Sequence, residues 1–190
     1  KIKIYKNMKN FYKSIFNKLN NLINTTDIVS LEKIAQSLKL LKKKNKKAIV
    51  IGNGGSAAIS SHVSVDLTKN AKIRSVNFNE ADLITCFSND YGYKKVFSKS
   101  LELYADKGDV VIIISSSGRS KNLIEAAKFC KRNKIKLFTF TGFSKSNPLR
   151  KMGSINLWAN SKAYNIVENI HQIWLLSIVD RIIGRIEYSA

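Results

Sequence analysis

Two wholly apolar runs, each ending in a turn of small residues, constrain the fold of this chain most strongly. Ala48–Ile51 runs into a glycine-rich turn, and Val110–Ile114 runs into a serine-rich turn. Short runs without polar residues are typical of parallel strands that are buried on both faces of a sheet. Further strand candidates are residues 75–78, 135–140 and 154–159.

Helical patterns alternate with these strands, at residues 56–68, 93–104, 120–133 and 163–183. This alternation predicts βαβ units, a parallel sheet and helices on both of its faces. Residues 1–45 also repeat apolar side chains at helical spacing, and Thr26 or Asp27 could cap the second of two helices there. We therefore predict a single three-layer α/β/α domain over residues 1–190. Residues 1–45 form a helical extension that packs on the α/β core (46–190) or on a second subunit.

The formal net charge of the 190-residue chain is +20. Its lysines are scattered, with one dense cluster at residues 42–47, which predicts a general attraction for anionic ligands and does not favour nucleic acid. No apolar stretch approaches the roughly 18 residues of a membrane span, and the N-terminal residues do not resemble a signal peptide, so we expect a cytoplasmic protein. Cys86 and Cys130 lack metal-type spacing, which predicts free thiols in a reducing compartment.

The two small-residue turns predict a phosphate or sugar-phosphate site. Glycines in residues 52–56 allow a ligand to approach the backbone closely, and Ser56 opens the next helix. Residues 115–120 supply four hydroxyls, backbone N–H groups and a helix N-terminus, which suit a phosphate monoester. Ordinary strand-to-helix turns are the alternative, and neither turn has a dinucleotide or P-loop pattern. The candidate ligands are Asn53, Gly54, Gly55, Ser56, Ser115, Ser116, Ser117 and Ser120.

These turns, with the segment Ser88-Asn89-Asp90-Tyr91-Gly92-Tyr93 between them, resemble the sugar isomerase (SIS) domain, and within it the bacterial phosphoheptose isomerases. The resemblance extends from about Ile49 to the end of the chain. It implies a five-stranded parallel sheet and a homotetramer with active sites at the subunit interfaces. It also implies phosphate ligands at Ser56, Ser115, Ser117 and Ser120, and contacts to sugar hydroxyls from Asn53 and Asp90.

The isomerisation of sedoheptulose 7-phosphate through an enediol needs a base near C1 and C2, and an acid or a metal for the oxygens. His62 and Asp66 would share one helix face, and Glu168 and His171 another. An interface histidine and carboxylates paired with lysines would explain the same residues. By the resemblance, Asp66 replaces a catalytic Glu and Glu168 replaces a Gln. Leu176 stands where the isomerases place a His that acts as acid, base or zinc ligand.

Two arrangements could restore the chemistry. His62, Asp66 and Glu168 could bind zinc as one histidine and two carboxylates, or Asp66 or Glu168 alone could move the proton. We predict a phosphosugar-binding SIS protein that isomerises sedoheptulose 7-phosphate or a similar sugar phosphate, with Asp66 and Glu168 as catalytic residues. The alternative is an inactive relative that binds a sugar phosphate or regulates, for example by binding the replication initiator. The resemblance suggests heptose supply for a lipopolysaccharide or capsule.

Overall fold

The structure, a computed structural model, describes residues 2–188, with side chains from residue 8 onward. Five strands form one sheet in which all neighbouring strands are parallel. They are β1 (Ala48–Gly52), β2 (Ser75–Val76), β3 (Val110–Ser115), β4 (Lys136–Thr141) and β5 (Ile155–Trp158). The predicted parallel sheet is confirmed.

The strand order is β2–β1–β3–β4–β5, so the chain winds outward in both directions from the pair β1 and β3. In open α/β sheets, the loops that leave the carboxyl ends of such a central pair diverge and open a crevice between them. The two small-residue turns follow β1 and β3. The topology therefore places both turns at the crevice.

Seven helices surround the sheet in the described part of the chain. They are α1 (Ile2–Asn24), α2 (Ile28–Lys43), α3 (Gly55–Lys69), α4 (Ala81–Tyr91), α5 (Val96–Tyr104), α6 (Lys121–Arg132) and α7 (Tyr164–Ile183). Short 3₁₀ turns lie at Tyr93–Lys95 and Leu149–Lys151. Among residues 2–188, no helix is long and apolar enough to cross a membrane.

Both faces of the sheet are covered, which explains why β1 and β3 are wholly apolar. Ala48 and Val50 pack in the layer that contains α2, α3 and α7. Ile49 and Ile51 alternate onto the opposite face and pack against α5 and α6. All five residues of β1 are buried. Because each strand side chain points alternately into one of two apolar layers, no position of the strand faces water.

The corner between α1 and α2 is fixed to the core by two side chains. Asp27 caps α2, since its carboxylate accepts the backbone N–H of Ser30 at 3.0 Å. Thr26, the other predicted cap, instead accepts the indole N–H of Trp174 on α7 at 2.8 Å. The helical extension is thereby attached to the last helix of the chain.

Two parts of the helical prediction differ from the structure. Helix α4 was not predicted, although Leu83, Ile84 and Phe87 pack against the core at helical spacing. It ends at Gly92, whose φ of 78° reverses the backbone. The predicted helix at residues 93–104 is a 3₁₀ turn followed by α5, because the chain must first turn back toward the sheet. The two free cysteines are confirmed.

Candidate active site

A cavity of about 270 Å³ lies at the carboxyl ends of β1 and β3. Its walls come from both small-residue turns and from the first turns of α6 and α7. The lining residues are Asn53, Gly54, Gly55, Ser56, Ile114, Ser115, Ser116, Ser117, Ser120, Leu123, Tyr164 and Glu168. The structure therefore brings the predicted ligands of both turns into one cavity.

The N-termini of α3 and α6 both open at this cavity. Gly54 precedes α3 and has no side chain to cap it, and the hydroxyl of Ser120 makes no capping hydrogen bond to α6. Backbone N–H groups in a first helical turn have no partner within the helix and carry the positive end of the helix dipole. The described lining residues include no Lys or Arg, and Arg119 is exposed outside the cavity. Backbone dipoles therefore supply the positive potential of the site.

The serine turn adds hydroxyls to this surface. The Ser115 hydroxyl accepts the N–H of Gly118 at 3.2 Å, and the Ser117 hydroxyl accepts the N–H of Arg119 at 3.3 Å. Both oxygens then have their own hydrogen free to donate. The Ser116 Oγ is buried and has no hydrogen-bond partner within the described chain. The turn can therefore donate several hydrogen bonds to an anion.

Gly118 is required by the geometry of this turn. Its φ is +62°, a region that side chains disfavour, and a Cβ there would collide with the amide of Asn147. Asn147 is buried and accepts the backbone N–H of Arg150 at 2.9 Å. The loop after β4, which contains Asn147, therefore packs directly against Gly118 of the serine turn.

Among the described residues that line this cavity, Glu168 contributes the single carboxylate. It projects from α7 onto the start of α3, where a Cβ added to Gly55 would lie 2.7 Å from its carboxyl carbon. Its pKa is raised above the ordinary value for Glu because burial disfavours the charged form. A carboxylate with a raised pKa is a better proton acceptor near neutral pH than an exposed one.

The other predicted catalytic residue, Asp66, lies elsewhere. It is on the last turn of α3 and accepts the Asn70 amide at 3.1 Å. It follows Gly55 by eleven residues, which is about 16 Å along a helix axis. The structure therefore separates Asp66 from Glu168 within the chain, and Glu168 is the one that lines the cavity.

The three predicted zinc ligands are not assembled within the chain. His62 approaches Asp66 at 3.4 Å, but it follows Gly55 by seven residues, about 10 Å along α3, whereas Glu168 lies over Gly55 itself. Within residues 2–188, no three His, Cys, Asp or Glu side chains form a group that could hold a metal ion. This donor set does not fit a metal centre in the single chain.

Asp90, predicted to contact sugar hydroxyls, does not line the cavity. It is exposed at the end of α4, where its carboxylate accepts the side-chain amide of Asn89 at 3.0 Å. The motif containing Asp90 forms the end of α4 and the start of the 3₁₀ turn that follows it.

His171 and Leu176 on α7 also lie outside the cavity. His171 is fully buried, and its Nε2–H donates to the Thr141 carbonyl at 3.0 Å. Burial lowers its pKa to about 4, so the ring is neutral near pH 7. Leu176 packs against the apolar layer beneath α7. Neither position supplies acid–base chemistry to the cavity of this chain.

Three lining residues were not predicted. Tyr164 lies one helical turn before Glu168, and this spacing puts both on one face of α7, so the pattern could have identified it. Ile114 and Leu123 are apolar and line the site because β3 and α6 end there. Nothing in the sequence around these two apolar residues indicates that they bind a ligand.

Comparison with known proteins agrees with this arrangement. The family described as the SIS domain matches residues 10–142 of the chain, which include both turns and the sheet strands β1 to β4. The chain belongs to the SIS-domain family. This SIS domain is similar to a phosphoheptose isomerase of Fusobacterium nucleatum, with 30% identity over 180 residues that cover 92% of each chain. It is also similar to a probable phosphoheptose isomerase of Thermoplasma acidophilum, with 37% identity over 145 residues, 73% of this chain and 79% of the relative.

The fold of the SIS domain is also matched by solved structures. The phosphoheptose isomerase GmhA from Neisseria gonorrhoeae superimposes with a TM-score of 0.85 at 22% identity. The match covers 94% of this chain and 99% of the other. The α1–α2 extension is therefore part of the shared architecture.

Proposed function

We propose that this SIS domain is an aldose–ketose isomerase that acts on a phosphorylated sugar, with Glu168 as the base that transfers the proton. Sedoheptulose 7-phosphate is the substrate to test first, because relatives that align over most of the chain are named phosphoheptose isomerases. The protein acts in the cytoplasm, where phosphorylated sugars are made and used.

One observation supports the proposal above all others, namely that a carboxylate and an anion-binding surface share one cavity. The N-termini of α3 and α6 and the serine hydroxyls suit the phosphate group. Glu168 projects into the same cavity with a raised pKa. A ligand anchored by its phosphate is held with the rest of its carbon chain near a fixed base, which converts proton abstraction into an intramolecular event.

In the proposed reaction, the phosphate binds at the two turns and the carbonyl end of the sugar lies against Glu168. The carboxylate removes the proton from C1 of the ketose, and the electrons of the C–H bond form the C1–C2 double bond of the enediol. The carbonyl oxygen on C2 gains a proton and becomes a hydroxyl. Glu168 then returns the proton to C2, while the C1 hydroxyl loses its proton and becomes the aldehyde.

The experiment follows proton exchange by NMR of sedoheptulose 7-phosphate in D₂O. A base that moves the proton through an enediol allows solvent deuterium to enter the carbon next to the carbonyl. Glu168→Gln keeps the shape of the side chain but removes its basicity, so exchange should fall by at least about 100-fold, within the range of general-base catalysis. Asp66→Asn is the matched control, because it removes a carboxylate that lies outside the cavity.

Three results would overturn the proposal. Unchanged exchange in Glu168→Gln would show that another group is the base. No exchange in the unchanged protein, with a melting temperature that still rises on adding the sugar phosphate, would identify a binding or regulatory protein. Greater loss in Asp66→Asn than in Glu168→Gln would restore Asp66 as the base.

We also propose a homo-oligomer, with a tetramer as the state to test. Helix α1 exposes large apolar side chains at Met8, Phe11, Tyr12 and Phe16, with 51–63% of each accessible in the single chain. Contiguous apolar side chains on a helix are usually covered in the functional assembly. Light scattering of the purified protein measures the state directly. In the cell, its product would supply heptose to a lipopolysaccharide or capsule.

A further inference from the structure

Three polar side chains form a closed hydrogen-bond network at one wall of the cavity. The Asn53 and Asn122 side chains bond each other twice, each Nδ2 lying 3.0 Å from the Oδ1 of the other. The hydroxyl of Tyr93, from the 3₁₀ turn after α4, lies 3.0 Å from the Asn53 Oδ1. Asn53 lines the cavity, whereas Asn122 is buried behind it.

A single backbone group determines the direction of every hydrogen bond in this network. The backbone N–H of Leu123 lies 2.9 Å from the Asn122 Oδ1, and an N–H can only donate, so that oxygen is fixed as the acceptor. The Asn122 Nδ2 must then donate to the Asn53 Oδ1. The Tyr93 hydroxyl must donate to the same oxygen.

The hydrogen-bonding capacity of Asn53 can therefore be accounted for in full. Its Oδ1 accepts two hydrogen bonds, which use both lone pairs, and its Nδ2 donates one hydrogen to Asn122. An amide has two N–H hydrogens and two lone pairs on oxygen. One N–H hydrogen remains, on a residue that lines the cavity.

We propose that Tyr93 is a positioning residue: with Asn122 it locks the Asn53 amide so that Asn53 offers the ligand one N–H donor and no acceptor. The part of the sugar phosphate beside Asn53 must then present an acceptor, either a phosphate oxygen or a hydroxyl oxygen whose hydrogen points elsewhere. This inference rests on the proposed function, since it assigns how the same cavity recognises its sugar phosphate. Tyr93 does not touch the ligand and acts through Asn53.

The perturbation is Tyr93→Phe, which removes one oxygen from a side chain that is 55% exposed and so leaves the fold intact. Without the Tyr93 hydroxyl, the Asn53 amide keeps its two bonds to Asn122 but is held less firmly, and its Oδ1 regains one free acceptor site. Binding of sedoheptulose 7-phosphate should therefore weaken by about 3- to 10-fold. Tyr91→Phe is the matched control, because Tyr91 lies two residues earlier and its hydroxyl bonds no described residue. Isothermal titration calorimetry measures both variants, and circular dichroism confirms their folding.

A double-mutant cycle separates positioning from a general structural effect. If Tyr93 acts through Asn53, Tyr93→Phe should weaken binding in the unchanged protein but have no further effect in Asn53→Ala. Equal losses in both backgrounds would show that Tyr93 acts by another route. Unchanged affinity in Tyr93→Phe would overturn the proposal outright.

A ligand-free measurement keeps this inference distinct from the proposed function. In ¹H–¹⁵N spectra, the side-chain amide hydrogens that bond Asn53 and Asn122 to each other should exchange slowly with solvent. Tyr93→Phe should accelerate exchange of the bonded hydrogen at Asn53 while the melting temperature stays unchanged. If the unchanged protein does not bind sedoheptulose 7-phosphate, the proposed substrate is wrong, but these spectra still decide the orientation of the amide. Fast exchange at Asn53 in the unchanged protein would refute the locked network.

Discussion

The contact between Gly55 and Glu168 makes the assignment of the base testable by adding one methyl group. In Gly55→Ala, the new Cβ would lie 2.7 Å from the carboxyl carbon of Glu168 and collide with one of its oxygens. Non-bonded carbon atoms normally stay about 3.5–4.0 Å apart. The carboxylate must therefore withdraw by about 1 Å. A displacement of this size at a reacting group costs about 100-fold in rate.

The fold should tolerate this change, which separates the rate effect from instability. Gly55 is the first residue of α3, and its φ is not in the left-handed region. Alanine is favoured over glycine within helices by up to about 1 kcal/mol. We therefore expect Gly55→Ala to unfold at an equal or higher urea concentration than the unchanged protein, while kcat/KM falls by about 100-fold.

The neighbouring glycine provides the contrasting variant. Gly54 has a φ of +53°, and an added Cβ there would meet no atom within 4 Å. Gly54→Ala should therefore cost about 1–3 kcal/mol of stability through backbone strain, without any contact to Glu168. The two alanines should give opposite results in urea denaturation. A fully active Gly55→Ala would refute the placement of Glu168 as the base.

Three further predictions follow from other parts of the molecule. Because burial raises the pKa of Glu168 and the base must be unprotonated, kcat/KM should fall with decreasing pH at a value above the ordinary 4.5 for Glu, which a pH–rate profile measures. His171 has a folded pKa of about 4, below its ordinary 6.5, so between these pH values the unfolded chain binds a proton that the folded chain does not. The free energy of unfolding should therefore fall by about 3 kcal/mol as the pH drops from 6.5 to 4. In urea titrations, His171→Gln should lose this pH dependence. The fully buried Asp109 carboxylate accepts the N–H groups of Lys47 and Asp106 and pairs with the Lys47 ammonium at 2.7 Å. Asp109→Ala should cost about 3–5 kcal/mol, and Asp106→Ala, at an exposed position, far less; equal losses would contradict the role of burial.

The sheet could be predicted from the sequence because its central strands are buried on both faces. Two-sided burial removes polar residues from β1 and β3, and this leaves short apolar runs that few other structures produce. Helix α4 was harder to predict, because it covers the core with only a few side chains and has no fully buried residue. Its few apolar positions are a weaker signal in the sequence than the turn-forming residues near Gly92, so the pattern does not predict a helix there.

The anion-binding half of the site could likewise be predicted, since it depends on local turns. Each turn must follow a strand and open a helix, and both requirements are visible in the order of residues. The catalytic half depends on the angle at which α7 crosses α3, and no local pattern encodes that angle. Spacing placed Asp66 and Glu168 on helix faces but could not show that Glu168 reaches Gly55 while Asp66 lies three turns farther along α3.

The absence of a cationic side chain among the described lining residues has an evolutionary consequence. A site that relies on a lysine or arginine for its anion can be lost by one substitution of that residue. Here the donors are main-chain N–H groups, which every residue except proline provides, together with several serine hydroxyls. The 33 basic and 13 acidic residues of the chain can therefore change in number without removing a hydrogen-bond donor from the site. Selection at this site acts on the shape of two turns, so their glycines are the positions least free to change.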